Sequence, residues 1–175
     1  AIAEADIIQI DGDRLYALSR FAGLTVIDLS NPRDLRVLGT HRFSAIPFEM
    51  YLREGVAYVM YNGFWSYEVD AETGNGSWNT TARMQALDVA DPTNIEVLAD
   101  QELLGEVSDS RMVGDVIYVA TFENGYCWGC DTQPKTRVAS FSVSPSGYAL
   151  IDQVEMVAGA DWGPQSISVT TERIY

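Results

Sequence analysis

The only two cysteines of the sequence stand three residues apart, in Cys127-Trp128-Gly129-Cys130. A pair at this spacing suits a small loop disulfide, a thioredoxin-like redox couple or half of a zinc site. Redox chemistry of that kind needs a helix N-terminus to lower the thiol pKa, and this pair lies in a β-rich stretch close to Pro134. Zinc needs further ligands, and the sole histidine, His41, is far away in the sequence. The expectation is a Cys127–Cys130 disulfide that staples an exposed insertion and fits an oxidising compartment.

A second cluster combines aromatic rings with oxygen donors. Between Asn62 and Asn79 the chain carries Phe64, Trp65, Tyr67 and Trp78, together with Glu68, Asp70 and Glu72. Rigid aromatic faces beside carboxylates and amides suit contact with a glycan or a peptide. The same rings would equally serve to pin a long loop onto the body. Trp128 offers a further ring in the cysteine segment. Asp70, Glu72 and Asn75 are hard oxygen ligands in a glycine-rich stretch, which makes calcium the candidate cation, although the spacing is not that of an EF-hand. No other cofactor is expected. Asn75-Gly76-Ser77 and Asn79-Thr80-Thr81 fit the short N-glycosylation pattern.

Signals for catalysis are sparse. His41 lies in Thr40-His41-Arg42-Phe43 without a sequence-readable partner, and the chain has no P-loop, HExxH or GxSxG motif. An acid/base pair assembled in three dimensions from the 25 acidic residues is compatible with the sequence. Those acids outweigh 11 Lys and Arg for a net charge of −14, which repels nucleic-acid phosphates and anionic lipid. No apolar run is long enough to cross a bilayer as a helix.

The elements that must hold these residues repeat. Arg14-Leu15-Tyr16, Val56-Ala57-Tyr58, Val116-Ile117-Tyr118 and Arg173-Ile174-Tyr175 fall in register, the first three each preceded by a strand-like run and a glycine-bearing turn. A third strand follows in Leu24–Leu29, Met84–Val89 and Val138–Val143, then a proline turn, then a fourth strand in Leu35–Thr40, Ile95–Ala99 and Tyr148–Val154. Helical periodicity nowhere outcompetes period two for more than a turn, so helix should be nearly absent. A β-sandwich also uses short strands, but it does not predict the same four-strand grammar three times. The fold expected is an all-β propeller of four-stranded antiparallel blades over 6–44, 47–106 and 107–159, with a fourth opening at 164–175. Insertions at 62–82 and 123–136 then fall on one face of the repeat, where binding surfaces are commonly built. Asp28 and Asp88 recur just before the proline turns, where a carboxylate accepts turn N–H groups.

Gly23-Leu24-Thr25-Val26-Ile27-Asp28-Leu29-Ser30-Asn31-Pro32 and Ala86-Leu87-Asp88-Val89-Ala90-Asp91-Pro92 resemble the LVIVD-type repeat. The pattern is also similar to that of secreted bacterial proteins with a C-terminal β-propeller domain. The third unit departs from it, with Ser142 in place of the aspartate. The resemblance implies a secreted, periplasmic or cell-surface location. A binding or assembly module contacting a protein, a glycan or another subunit is the expected role. The alternative is a hydrolase or lyase with a carboxylate-bound metal in a central channel. Known rings close with about four to eight blades, so further blades outside 1–175, in a longer polypeptide, are also expected.

Overall fold

The computed structural model describes residues 2–3, 7–123 and 134–157, and all of its regular elements there are β-strands. A two-residue β1 (Ile2–Ala3) comes first. The first blade is β2 (Ile8–Asp11), β3 (Arg14–Ser19), β4 (Gly23–Asp28) and β5 (Arg36–His41). The second is β6 (Ile46–Arg53), β7 (Val56–Val69), β8 (Gly76–Asp88) and β9 (Glu96–Leu104). The third is β10 (Glu106–Val113), β11 (Val116–Glu123), β12 (Lys135–Ser144) and β13 (Gly147–Val157). Each blade is an antiparallel meander in sequence order, and β1 adds to β10 of the third through Ile2↔Val113.

Local chemistry sets the hairpins. Arg53 pairs with Val56 around a two-residue turn in which Glu54 and Gly55 both have positive φ, 50° and 78°, the backbone of a type I′ hairpin. Asp28 and Asp88 close their blades' third strands by accepting the N–H of Ser30 (2.8 Å) and Ala90 (3.0 Å). The bonds from Ser30 hold the Asp28 carboxyl below its ordinary pKa. Ser142, in the equivalent place, instead donates to the Ala149 carbonyl.

The core lies between blades rather than inside one. Along β7 the run Val56-Ala57-Tyr58-Val59-Met60-Tyr61 alternates faces: Ala57, Val59 and Tyr61 pack with Tyr16, Leu18, Leu24 and Val26 of the first blade. Val56, Tyr58 and Met60 pack with Met112, Ile117, Val119 and Phe141 of the third. A strand buried on both faces reads as a continuous apolar run, which is why this stretch shows no polar alternation. The middle blade is thus covered on both sides, whereas Ile8, Ile10 and Val37 of the first blade and Leu150, Val154 and Met156 of the third are exposed.

Each third-to-fourth-strand ladder slips once at the same place, after Val26, Ala86 and Ser140. The slip leaves Leu38 and Leu98 as extra residues that turn into the interblade clusters. It also places Gly39 beneath the next blade's proline turn, where a Cβ would meet the Pro92 carbonyl oxygen at 1.7 Å.

Polar ties stitch neighbouring blades. Gln9 donates to the Met50 carbonyl (2.6 Å), Arg14 to Ala90 (3.2 Å) and Arg53 to Gly114 (2.5 Å). Asn62 pairs twice with the backbone of Val107, donating at 2.9 Å and accepting at 2.8 Å. The repeated tyrosine faces the following blade: Tyr16 packs toward the second, and Tyr58 donates its hydroxyl to the Ser144 carbonyl at 2.8 Å. Removing only that hydroxyl in Tyr58→Phe should cost about 1 kcal/mol, the net value of one such bond. The urea midpoint should fall at unchanged m-value, and an unaltered midpoint would show that the tie contributes nothing.

Candidate functional site

The 62–82 insertion is not a loop. Strands β7 and β8 continue through it as an antiparallel hairpin, with pairs Phe64↔Thr81, Trp65↔Thr80, Tyr67↔Trp78 and Val69↔Gly76 beyond a register shift after Tyr61. Directly opposed residues share a face, so Trp65, Tyr67, Val69 and Trp78 lie on one side and Phe64 on the other.

Phe64 is half-buried and anchors the arm: its ring lies 5.7 Å from that of Phe43, which in turn meets Tyr61 at 4.6 Å. The opposite face has no such cover among the described residues, leaving Trp65 67%, Tyr67 55% and Trp78 59% exposed. The Tyr67 and Trp78 rings meet at 5.0 Å, inclined at 52°. Tyr67 also reaches over Gly76, where a Cβ would strike its hydroxyl at 1.7 Å. The sequence therefore places Trp65, Tyr67 and Trp78 together and separates Phe64 from them. Trp128, Cys127 and Cys130, with the disulfide expected between the last two, lie outside the described residues.

The arm's tip is a turn organised by Asp70. Its Oδ1 accepts the N–H of Glu72 (2.9 Å), the N–H of Thr73 (2.7 Å) and the Thr73 hydroxyl (3.0 Å). Its own N–H donates to the Asn75 carbonyl at 2.9 Å. Those bonds hold the Asp70 carboxyl below its ordinary pKa, the Thr73 N–H contributing most. The carboxylate that sequence reasoning offered to calcium thus has one oxygen engaged in shaping the turn, with Glu72 and Asn75 exposed beside it. Among the described residues no three His, Cys, Asp or Glu side chains cluster around a common point.

Sequence reasoning missed a polar group at the inner edge, where β6 and β10 run together. The Tyr51 hydroxyl lies 2.9 Å from Ser110 Oγ, and Ser110 donates to the Glu49 carboxylate. Asp109 accepts its neighbour's N–H from Ser110 and pairs with Arg111 at 2.5 Å. Burial pushes the Tyr51 hydroxyl up to about 12, so near neutral pH it serves as a donor or acceptor and not as a base. No motif spacing announces this group, because its members are adjacent only across two blades. His41 Nε2 is buried without a hydrogen-bond partner among the described residues.

The sequence matches the model of a protein family described as Beta propeller domain over residues 1–172. The chain belongs to this β-propeller family. Comparison with curated proteins and with solved structures gave no match. Membership accounts for the blades, and a fold of this kind hosts many activities. No helix among the described residues is long and apolar enough to cross a membrane.

Proposed function

We propose that this propeller chain is a non-catalytic binding or assembly module of a secreted, periplasmic or cell-surface protein, with the β7–β8 arm as its contact surface. The observation that carries this reading is the uncovered aromatic face of the arm, where Trp65, Tyr67 and Trp78 are each more than half exposed. Large rings left in water on a projecting hairpin are costly for solubility and are the residue types that dominate binding energetics. The extracytoplasmic placement is supported by the LVIVD-type units at 23–32 and 86–92 and by the Cys127–Cys130 spacing.

The test is a triple variant, W65S/Y67S/W78S, compared with the parent chain on a random-peptide display library and a glycan array. All three side chains are exposed, so circular dichroism and the denaturation midpoint should not change. Ligands selected by the parent chain should lose at least about thirtyfold in affinity, the equivalent of about 2 kcal/mol for a contact centre. Ligands that bind both proteins equally would place the contact surface elsewhere.

A further inference from the structure

We infer that the occupant of the arm is an extended, Lys- or Arg-bearing segment of a partner protein that pairs with the arm's edge as an added strand, an inference that rests on the arm being the contact surface. Three features of the arm converge on such a segment.

The first is its open backbone. Strand β7 pairs with β6 only as far as Ile46↔Asn62, and β8 pairs with β9 only from Thr81↔Leu104. Thr80 still accepts the Gly105 N–H at 2.9 Å, and over Phe64–Val69 and 76–79 the two strands pair with each other alone among the described residues. Their outward N–H and C=O groups are spaced for another strand. Edges that must stay single are commonly blunted with Lys or Pro, and residues 64–80 contain neither.

The second is the alternation of the face. Trp65, Tyr67 and Val69 are successive outward residues of one strand, and all three are exposed. A strand added beside them sends every second side chain over the same face, next to the rings.

The third is charge. Residues 62–82 include Glu68, Asp70 and Glu72 and no Lys, Arg or His. Aromatic faces attract cations, and Lys or Arg can lay an aliphatic stem along a ring while its head reaches a carboxylate. A second copy of the chain would bring the same acidic arm and another net charge of −14, and it is repelled where a basic segment is attracted.

Three fluorescein-labelled ten-residue peptides test this by anisotropy at low salt with the 175-residue chain. The first alternates Lys and Val, the second alternates Glu and Val, and the third is the Lys peptide with alternate backbone nitrogens methylated. The Lys peptide should bind, and the Glu peptide should not. Methylation blocks ladder bonds without altering charge, so it should weaken binding at least about tenfold, as should W65S/Y67S/W78S. E68Q/E72Q, which spares the Asp70 turn, should weaken it several-fold and flatten its salt dependence. No binding of the Lys peptide, or equal binding of its methylated form or of the triple variant, overturns the inference. Failure here together with arm-dependent binding of cellohexaose, or an arm-dependent dimer in sedimentation velocity, overturns the basic-segment inference while leaving the arm as the contact surface. Failure of every probe to depend on the arm overturns both.

Discussion

Replacing Gly39 with alanine is expected to lower the stability of the fold by about 3 kcal/mol, at the upper end for overpacking. The new Cβ would lie 1.7 Å from the Pro92 carbonyl oxygen and 2.8 Å from its carbon, and both are backbone atoms that no rotamer change can move aside. Relief requires the whole Asp91–Asn94 turn of the second blade to lift from β5, loosening Leu38 and Val89 in the shared cluster. The equivalent contact one blade on shows the same constraint solved differently. There the strand residue is Ala99 and the turn residue is Gly147, whose own Cβ would meet that of Ala99 at 3.0 Å. Gly12 provides the control, since its φ is 56° but a Cβ there would meet nothing within 4 Å. Gly12→Ala should cost about 1–2 kcal/mol from backbone strain alone. Urea denaturation of both variants decides the matter: a Gly39→Ala loss no larger than that of Gly12→Ala would mean that the turn is not rigidly seated.

Raising the pH should unfold the protein through its interblade tyrosines. Burial is the leading cause raising the Tyr51, Tyr58, Tyr61 and Tyr148 hydroxyls above the ordinary value of 10, Tyr51 to about 12. The folded state therefore holds these protons more tightly than the unfolded chain does. Their contribution is fully present below pH 10 and is lost as the pH climbs from there toward the folded-state values. For Tyr51 the loss spans pH 10 to about 12 and amounts to about 2–3 kcal/mol, with the other three adding to it. The denaturation midpoint should be insensitive to these groups near neutrality and fall steeply above pH 10. Their tyrosinate absorbance should appear only together with loss of the β circular dichroism signal. Full tyrosine ionisation with the β signal intact would refute this account.

What the sequence revealed and what it hid follow from the range of each interaction. Turns depend on neighbours in the chain, so Glu54-Gly55 and the Asp28 and Asp88 turns are visible in the residues themselves. The repeated tyrosine is visible for a related reason: the first and second blades face the same problem of meeting the next, and solve it with the same residue, Tyr16 and Tyr58. The arm was partly visible. Its aromatics stand out, but Asn62-Gly63 looks like the start of a loop when it is the irregularity after which pairing resumes at Phe64↔Thr81. The alternation Trp65-Ser66-Tyr67-Glu68-Val69 was the signal that could have identified a strand. The Tyr51–Ser110–Glu49 group and the double pairing of Asn62 with Val107 were invisible, since their partners are separated by 45 to 61 residues and carry no local pattern. For the same reason nothing in Ile2-Ala3 indicates a pairing with Met112 and Val113.

The interblade ties have a prevailing direction. Gln9, Arg14, Arg53, Tyr58 and Asn62 all donate from an earlier blade to a backbone carbonyl of the next, while Tyr148, donating to Met84, the Val107 N–H, donating to Asn62, and the Ser110 hydroxyl, donating to Glu49, point back. During synthesis from the N-terminus, each newly made blade thus leaves the ribosome with its donors unmet until the following turn has been translated. Its apolar face waits for the same event, as the pairing of Tyr58 and Met60 with Ile117 and Phe141 requires. Folding should consequently trail translation by about one blade, and the most recently completed blade of a stalled nascent chain should be the one a protease cuts first.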